Sequence, residues 1–294
     1  LFYWIKVGSQ RVVRYSADPL SIAMPGPGWE SIVLKFVANL SIMYTEIELL
    51  SRFSAASQDG FDGVEFQFPF THSADELALA ARNADSQTVV FNFPAGDMDL
   101  GDRGIAIFPE RLDECRAAIE DTLIYADTLN CPRLHLMSGV LAAETQRATA
   151  TQTYIDNLRY AADRFAEQEG IILVEPLNPF TVPGYLVGTL EQAFAIIQQT
   201  DRPNVRLQFD FYHCQMTQGR VEESFEKYLD VIDHVQIAGV PGRHEPTACE
   251  LDYHHIFNRI DALGYSGFVG CEYYPSSTAS EGIGWLHDYR TART

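Results

Sequence analysis

From Lys35 onward, short apolar segments alternate with longer segments whose apolar positions recur at helical spacing. In residues 154–168, for example, Ile155, Leu158 and Phe165 fall on one face of a predicted helix. A predicted helix follows each predicted strand, and the last of these helices lies near 281–289. The eight predicted strands are 36–40, 64–68, 88–93, 133–137, 171–175, 205–210, 234–237 and 268–272.

Strands that are separated by helices pair in parallel through right-handed crossovers. Eight such units predict an α/β fold, a single-domain (β/α)8 barrel. The alternative is a doubly wound open sheet, which usually carries a glycine-rich phosphate loop after its first strand. The first predicted strand runs into Ser41-Ile42-Met43-Tyr44, which contains no glycine. The pattern therefore favours the barrel.

The first 33 residues do not follow this pattern. They show no sustained period and contain Pro25-Gly26-Pro27-Gly28. They also do not resemble a signal peptide, because Lys6 and Arg11 follow the short apolar stretch instead of preceding it. We expect residues 1–33 to be an N-terminal extension, non-native or flexible, and residues 34–294 to be the barrel catalytic domain.

Composition narrows the class of partner. The chain has 294 residues, with 21 Lys and Arg against 40 Asp and Glu, a formal charge of −19. This charge argues against nucleic acid or an anionic membrane as the partner, but it allows a small anionic substrate. Five scattered cysteines without a CxxC motif are typical of reduced thiols, so we expect a cytoplasmic protein.

Four consecutive predicted strands carry an oxygen-bearing side chain at or near their ends: Glu175, Asp210, Gln236 and Glu272. Because the carboxyl ends of barrel strands converge on one rim, we expect these side chains to meet there. Three unpaired carboxylates would repel one another in a partly dry site, and a divalent cation would relieve that repulsion. An all-oxygen set favours Mg²⁺ or Mn²⁺.

A second interpretation is that each acidic residue caps the helix that follows it. Asp210 suits that role, since aspartate is a good N-cap. Glu175 precedes Pro176 and a long loop, which makes capping a poor explanation there.

Two further residues are candidate substrate ligands. His213, three residues after Asp210, could donate a hydrogen bond to a substrate oxygen, or it could make only a local bond in the first turn of a helix. Arg243, in the loop after the seventh strand, suits a substrate carboxylate; its alternative is a surface ion pair with Glu245.

Three other positions are weaker candidates or structural groups. Arg103 lies among three aspartates that could pair with it. His135 lies in the fourth predicted strand and could be a buried group behind the site. Glu65, early in the second strand, is expected to form a structural ion pair.

Several strings in the chain resemble the hydroxypyruvate isomerase family of xylose-isomerase-like TIM barrels, over residues 35 to 290. They are Phe36-Val37-Ala38-Asn39-Leu40-Ser41, Asp62-Gly63-Val64-Glu65, Phe68-Pro69-Phe70, Pro94-Ala95-Gly96-Asp97, Leu173-Val174-Glu175-Pro176, His234-Val235-Gln236-Ile237-Ala238-Gly239, Gly242-Arg243-His244-Glu245-Pro246 and Gly270-Cys271-Glu272-Tyr273. The first 33 residues lie outside the resemblance.

The resemblance implies one divalent metal ion held by Glu175, Asp210, Gln236 and Glu272, with Glu175 and Glu272 as the proton donor and acceptor. It also implies an aldose–ketose isomerase of a short oxo-hydroxy acid. One branch of the family converts hydroxypyruvate to tartronate semialdehyde, and another resembles 2-oxo-tetronate isomerase. The strings divide between the two branches, so both stay open.

Three other functions are weighed against the isomerase. A sugar epimerase or dehydratase would use the same scaffold and metal. An endonuclease IV type of DNA hydrolase needs several histidine ligands and a basic face, which a charge of −19 and Gln236 do not favour. A non-catalytic barrel that binds sugar acids is the third. Barrel enzymes of this size often associate, so a homo-oligomer also stays open.

Overall fold

The computed structural model describes residues 2–7, 11–16, 33–141 and 147–293, and it divides into two units, Leu1–Ile32 and Val33–Thr294. In the first unit, strands β1 (Phe2–Val7) and β2 (Arg11–Ser16) pair as an antiparallel hairpin. The other positions of that unit lie outside the described residues. That residues 1–33 are non-native or flexible stays a prediction.

The second unit is a closed barrel of eight parallel strands. Each strand pairs with the next one along the chain, and the last pairs with the first to close the barrel. The predicted (β/α)8 barrel is confirmed, and the open-sheet alternative is wrong. The strands are β3 (Lys35–Asn39), β4 (Gly63–Phe66), β5 (Thr88–Asn92), β6 (Arg133–His135), β7 (Ile171–Val174), β8 (Val205–Asp210), β9 (Ile232–Ile237) and β10 (Phe268–Cys271).

Helices follow the strands and pack outside the barrel. They are α1 (Leu49–Gln58), α2 (Ala74–Asn83), α3 (Leu112–Leu129), α4 (Arg147–Phe165), α5 (Leu190–Thr200), α6 (Phe211–Thr217), α7 (Val221–Tyr228), α8 (Tyr253–Ala262), α9 (Ala279–Gly282) and α10 (Gly284–Thr291). Short 3₁₀ turns lie at Pro109–Arg111, Ala166–Gln168 and Leu229–Val231. Within the described ranges, none of these helices has the length and apolar character needed to span a membrane.

Local sequence explains where these helices begin and which face they bury. Helix α2 begins with a capping box: Glu76 N–H donates to Ser73 Oγ at 3.3 Å, and Ser73 N–H donates to the Glu76 carboxylate at 2.9 Å. Along α4, the predicted apolar stripe that includes Ile155, Leu158 and Phe165 is buried against the barrel. The helical layer thereby covers the apolar outer face of the strands.

Inside the barrel, the backbone of β10 passes directly beside a buried carboxylate. A Cβ at Gly270 would overlap Glu65 Oε2, and Glu65 is only 1% exposed. Gly270 lies between Val37 of β3 and Gln236 of β9 in the strand register. Because hydrogen bonds to Asn39, His234 and Gln236 hold Glu65 in place, a larger residue at 270 would displace its carboxylate from these partners.

We expect Gly270→Ala to lower the free energy of unfolding by about 1–3 kcal/mol, the usual cost of overfilling a packed core. Urea denaturation monitored by circular dichroism measures this loss. Gly284→Ala is the matched control, because a Cβ there meets no atom within 4 Å. Equal stabilities for the two variants would contradict the packing argument.

Candidate active site

The four predicted metal ligands lie at one end of the barrel. Asp210 is the last residue of β8, Gln236 lies one residue before the end of β9, and the two glutamates directly follow β7 and β10. Asp210 and Gln236 are direct register partners. All four side chains are buried. The strand-end argument therefore placed these residues on the same rim of the barrel.

A cavity of about 240 Å³ (open solvent included) lies among the strand ends. Both predicted catalytic glutamates, Glu175 and Glu272, line it, so their carboxylates face the same space. Most of the other lining side chains are neutral amides. The lining residues are Asn39, Glu65, Phe66, Gln67, Val90, Asn92, Glu175, Gln208, Gln236 and Glu272.

Asp210 serves both of the roles that the sequence left open. Its Oδ1 accepts a hydrogen bond from Tyr212 N–H at 2.7 Å and so caps α6. Its Oδ2 is buried, has no hydrogen-bond partner within the described ranges, and lies 3.6 Å from His213 Nε2. One oxygen is therefore structural, and the other is available to a ligand.

Arg243 lies in the site rather than on the surface. Its Nη2 is 2.6 Å from Glu272 Oε2 and 3.8 Å from Asp210 Oδ2, and its guanidinium lies 5.0 Å from the ring centre of Tyr212. The surface ion pair with Glu245 is wrong, because that carboxylate accepts hydrogen bonds from Ser276. Arg243 Nε has no hydrogen-bond partner in the described part of the chain, so one buried donor is left over.

The two predicted catalytic glutamates differ in their surroundings. Besides Arg243, Glu272 has two partners on its Oε1, Gln67 Nε2 at 2.8 Å and Asn39 Nδ2 at 3.2 Å. Glu175 Oε1, by contrast, is buried and without a hydrogen-bond partner among the described residues. Its Oε2 lies 3.5 Å from His135 Nδ1. Glu272 is thus held in place, and Glu175 keeps free acceptor capacity.

Burial makes ionisation of these carboxylates costly. Desolvation, then the charges of Glu272 and Asp210, raise the pKa of Glu175 well above its ordinary value. Desolvation raises the pKa of Asp210 to about 7, although Arg243 opposes it. The pKa of Glu272 is also raised by desolvation, again against Arg243. One guanidinium does not balance three buried carboxylates.

A divalent cation fits this arrangement. Oxygens of Glu175 and Asp210 are buried without hydrogen-bond partners in the described chain, and a bound cation would satisfy such acceptors. The two positive charges of such a cation would also balance the negative charge that the Arg243 guanidinium leaves uncompensated. The atoms available as metal ligands are carboxylate and amide oxygens, which suit Mg²⁺ or Mn²⁺.

His213 is oriented as a hydrogen-bond donor. Its Nδ1 accepts from Asn178 N–H at 3.0 Å and lies 2.8 Å from Asn178 Nδ2. Desolvation, with the charge of Arg243, lowers the pKa of His213 well below its ordinary value, so the ring is neutral. A neutral ring whose Nδ1 accepts carries its proton on Nε2. This nitrogen therefore donates, and a ring nitrogen of His213 lies within 4.8 Å of oxygens of Glu175 and Asp210.

The two weaker candidates have different positions. His135 is buried behind Glu175, and desolvation lowers its pKa to about 3, so its ring is neutral. Arg103 donates to the carbonyl oxygens of Met98 and Asp102 within its own loop. Within the described ranges, the structure places no site carboxylate against it.

The sequence analysis missed the amides on the opposite wall of the site. Asn39 and Asn92 end β3 and β5, and Gln67 directly follows β4. The strand-end rule that found the carboxylates would have found these amides if it had been applied to the first half of the chain. Glu65 Oε2 lies 2.7 Å from His234 Nε2, a buried hydrogen bond, and the predicted ion pair of Glu65 stays a prediction.

Comparison with known proteins agrees with this architecture. Residues 53–289 match the family model described as a xylose isomerase-like TIM barrel. A solved structure titled AP endonuclease, family 2 from Brucella melitensis superposes with a TM-score of 0.85 at 41% identity, covering 87% of this chain and 99% of that one.

Two relatives that are named isomerases are similar over most of the barrel. The 2-oxo-tetronate isomerase of Cupriavidus necator is 43% identical over 255 residues, which cover 87% of this chain and 98% of that protein. The hydroxypyruvate isomerase of Escherichia coli is 36% identical over 258 residues, covering 88% of this chain and 100% of that protein. With its closed barrel and these relatives, the chain belongs to the xylose isomerase-like TIM barrel family and is an isomerase.

Proposed function

We propose that this protein is a metal-dependent aldose–ketose isomerase that exchanges the carbonyl and hydroxyl groups of a short oxo-hydroxy acid, as in hydroxypyruvate to tartronate semialdehyde. The observation that carries the proposal is the pair of buried carboxylates, Glu175 and Glu272, that line one cavity. Such an isomerisation needs an acid and a base at two neighbouring carbon atoms.

Glu175, Asp210, Gln236 and Glu272 are the residues that would hold the metal ion. Bound there, a divalent cation would polarise the substrate carbonyl and lower the energy of the negative charge that develops on its oxygen.

Proton transfer falls to the two glutamates. One takes the proton from C3, so that the C–H electron pair becomes the C2–C3 double bond and the carbonyl electrons move onto the C2 oxygen. The other returns a proton to C2, while the proton of the C3 hydroxyl passes to the C2 oxygen and the C3 carbonyl forms. The different surroundings of Glu175 and Glu272 keep the two roles distinct.

His213 and Arg243 bind the substrate in this proposal. His213 donates its Nε2 proton to a substrate oxygen, since its Nδ1 is already occupied by Asn178. Arg243 binds the substrate carboxylate. Its buried Nε, which has no hydrogen-bond partner among the described residues, supplies one donor.

Arg243→Lys is expected to raise KM for the anionic substrate about 10–100-fold, because charge-assisted hydrogen bonds contribute about 1.5–3 kcal/mol. Steady-state kinetics with hydroxypyruvate measures the change. Arg164→Lys is the control, since that arginine pairs with Glu120 on an exposed helical surface. An unchanged KM in Arg243→Lys would remove Arg243 from the substrate site.

A second substrate is favoured by one observation: the Cupriavidus necator relative, at 43% identity, is named a 2-oxo-tetronate isomerase. 2-Oxo-tetronate undergoes the same exchange between C2 and C3, with a hydroxymethyl group on C3. The proton chemistry is therefore identical, and the substrates differ only in the space required beyond C3.

The test is product analysis. The protein, loaded with Mn²⁺, is incubated separately with hydroxypyruvate and with 2-oxo-tetronate, and the products are identified by NMR. We expect the 3-oxo-2-hydroxy acid from at least one substrate and no conversion after EDTA treatment. An epimer as the only product, or equal conversion with EDTA, would contradict the proposal.

A further inference from the structure

Gln236 is held on both sides by buried polar side chains. Its Nε2 donates to Glu65 Oε1 at 2.7 Å, and its Oε1 accepts from Gln208 Nε2 at 2.7 Å. All three side chains are at most 3% exposed. The plane and the orientation of this amide are therefore set by its neighbours and not by water.

Glu65 decides which end of the amide faces inward. Its carboxylate also meets Asn39 Nδ2 at 3.0 Å and His234 Nε2 at 2.7 Å. The end of Gln236 that faces Glu65 is its NH₂ group, whose Nε2 donates to the carboxylate oxygen. The amide oxygen of Gln236 is then turned away from Glu65. The hydrogen bond from Gln208 occupies only one of the two lone pairs on this oxygen.

The backbone makes room for this carboxylate. Gly270 pairs with Gln236 in the strand register, and any larger residue at 270 would overlap Glu65 Oε2. The barrel therefore places Glu65 where its carboxylate can contact the amide of Gln236. Such contacts usually fix a metal ligand's orientation.

We propose that Glu65 is a positioning residue: it fixes the Gln236 amide with its oxygen, rather than its nitrogen, directed to the metal site. The inference rests on the proposed function, because it assigns Gln236 as a metal ligand. Turned by 180°, the same amide would present NH₂, which cannot bind a cation.

The experiment measures Mn²⁺ affinity of the metal-free protein by calorimetry, together with its Tm. Glu65→Gln should raise the Kd for Mn²⁺ about 10–100-fold, the usual effect of removing a group that orients a ligand. Asp261→Asn is the matched control: it makes the same change to a buried carboxylate, but in α8, where Asp261 pairs with Arg293. We expect that control to bind Mn²⁺ as the wild type does.

The exchanged double variant, Glu65→Gln with Gln236→Glu, separates orientation from packing. A glutamate at 236 presents an oxygen in either orientation and can accept a hydrogen bond from the new glutamine. Its Kd should therefore return to within about tenfold of the wild type. A merely structural role for Glu65 would lower Tm and leave Kd unchanged.

Two results would overturn the inference: an unchanged Kd in Glu65→Gln, or a double variant as weak as the single one. A wild-type protein that binds no Mn²⁺ would overturn both this inference and the proposed function. Wild-type protein that binds Mn²⁺ and shows the predicted Kd pattern, but isomerises neither substrate, would support the positioning role and contradict only the proposed function.

Discussion

Glu175→Gln and Glu272→Gln are each expected to lower kcat for the isomerisation by about 10²–10⁴-fold, the usual contribution of a general acid or base. Glutamine keeps the size of the side chain and a carbonyl oxygen but cannot take up a proton. The fold should survive, because each change removes one charge from a crowded, buried group of carboxylates.

Steady-state kinetics at saturating Mn²⁺ measures this loss, and the Tm of each variant checks that it is folded. Glu120→Gln is the control, since it makes the same change on an exposed helix where the carboxylate pairs with Arg164. If either site variant kept near-normal kcat, that glutamate would lose its catalytic role.

Asp210→Asn should raise the Kd for Mn²⁺ by about 100-fold or more, beyond the effect of a group that only orients a ligand. The substitution is selective because asparagine can still cap α6 with its side-chain oxygen. The substitution removes the negative charge and replaces the unpartnered Oδ2 by an NH₂ group, which cannot bind a cation.

Calorimetry on the metal-free protein measures this affinity. Asp163→Asn, which alters an exposed pair with Arg202, should leave it unchanged. Wild-type affinity in Asp210→Asn would remove Asp210 from the ligand set and leave it with the capping role alone.

Periodicity was sufficient to predict the barrel because parallel strands separated by amphipathic helices leave few arrangements. It was also sufficient to place Glu175, Asp210, Gln236 and Glu272 on one rim, since strand ends in a barrel converge. Both inferences depend only on the order of strands and helices along the chain, and the hydrophobic pattern of the sequence predicts that order.

Contacts between distant side chains could not be predicted in the same way. Arg243 and Glu272 lie on different loops, so nothing in the local sequence distinguishes their ion pair from one between Arg243 and Glu245. Likewise, Glu65 was expected to form an ion pair, but its contact with Gln236 depends on the barrel interior and on the glycine at 270.

The first half of the chain shows a different limit. Asn39, Gln67 and Asn92 lie at or just beyond strand ends and line the cavity. Amides carry no charge, so they indicate a binding site less strongly than carboxylates do. Their positions were predictable, but their partners were not: Asn39 and Gln67 both donate to Glu272, which comes from the opposite end of the chain.

The most direct test of proton transfer by the two glutamates is conversion of hydroxypyruvate in D₂O by the Mn²⁺-loaded protein, followed by proton NMR. The account predicts tartronate semialdehyde that carries solvent deuterium at C2, because the glutamate that returns a proton to C2 is not the one that takes the proton from C3, and its own proton exchanges with solvent. The same product formed without deuterium would indicate direct hydride transfer between the carbon atoms, and would contradict the assignment of Glu175 and Glu272 as acid and base.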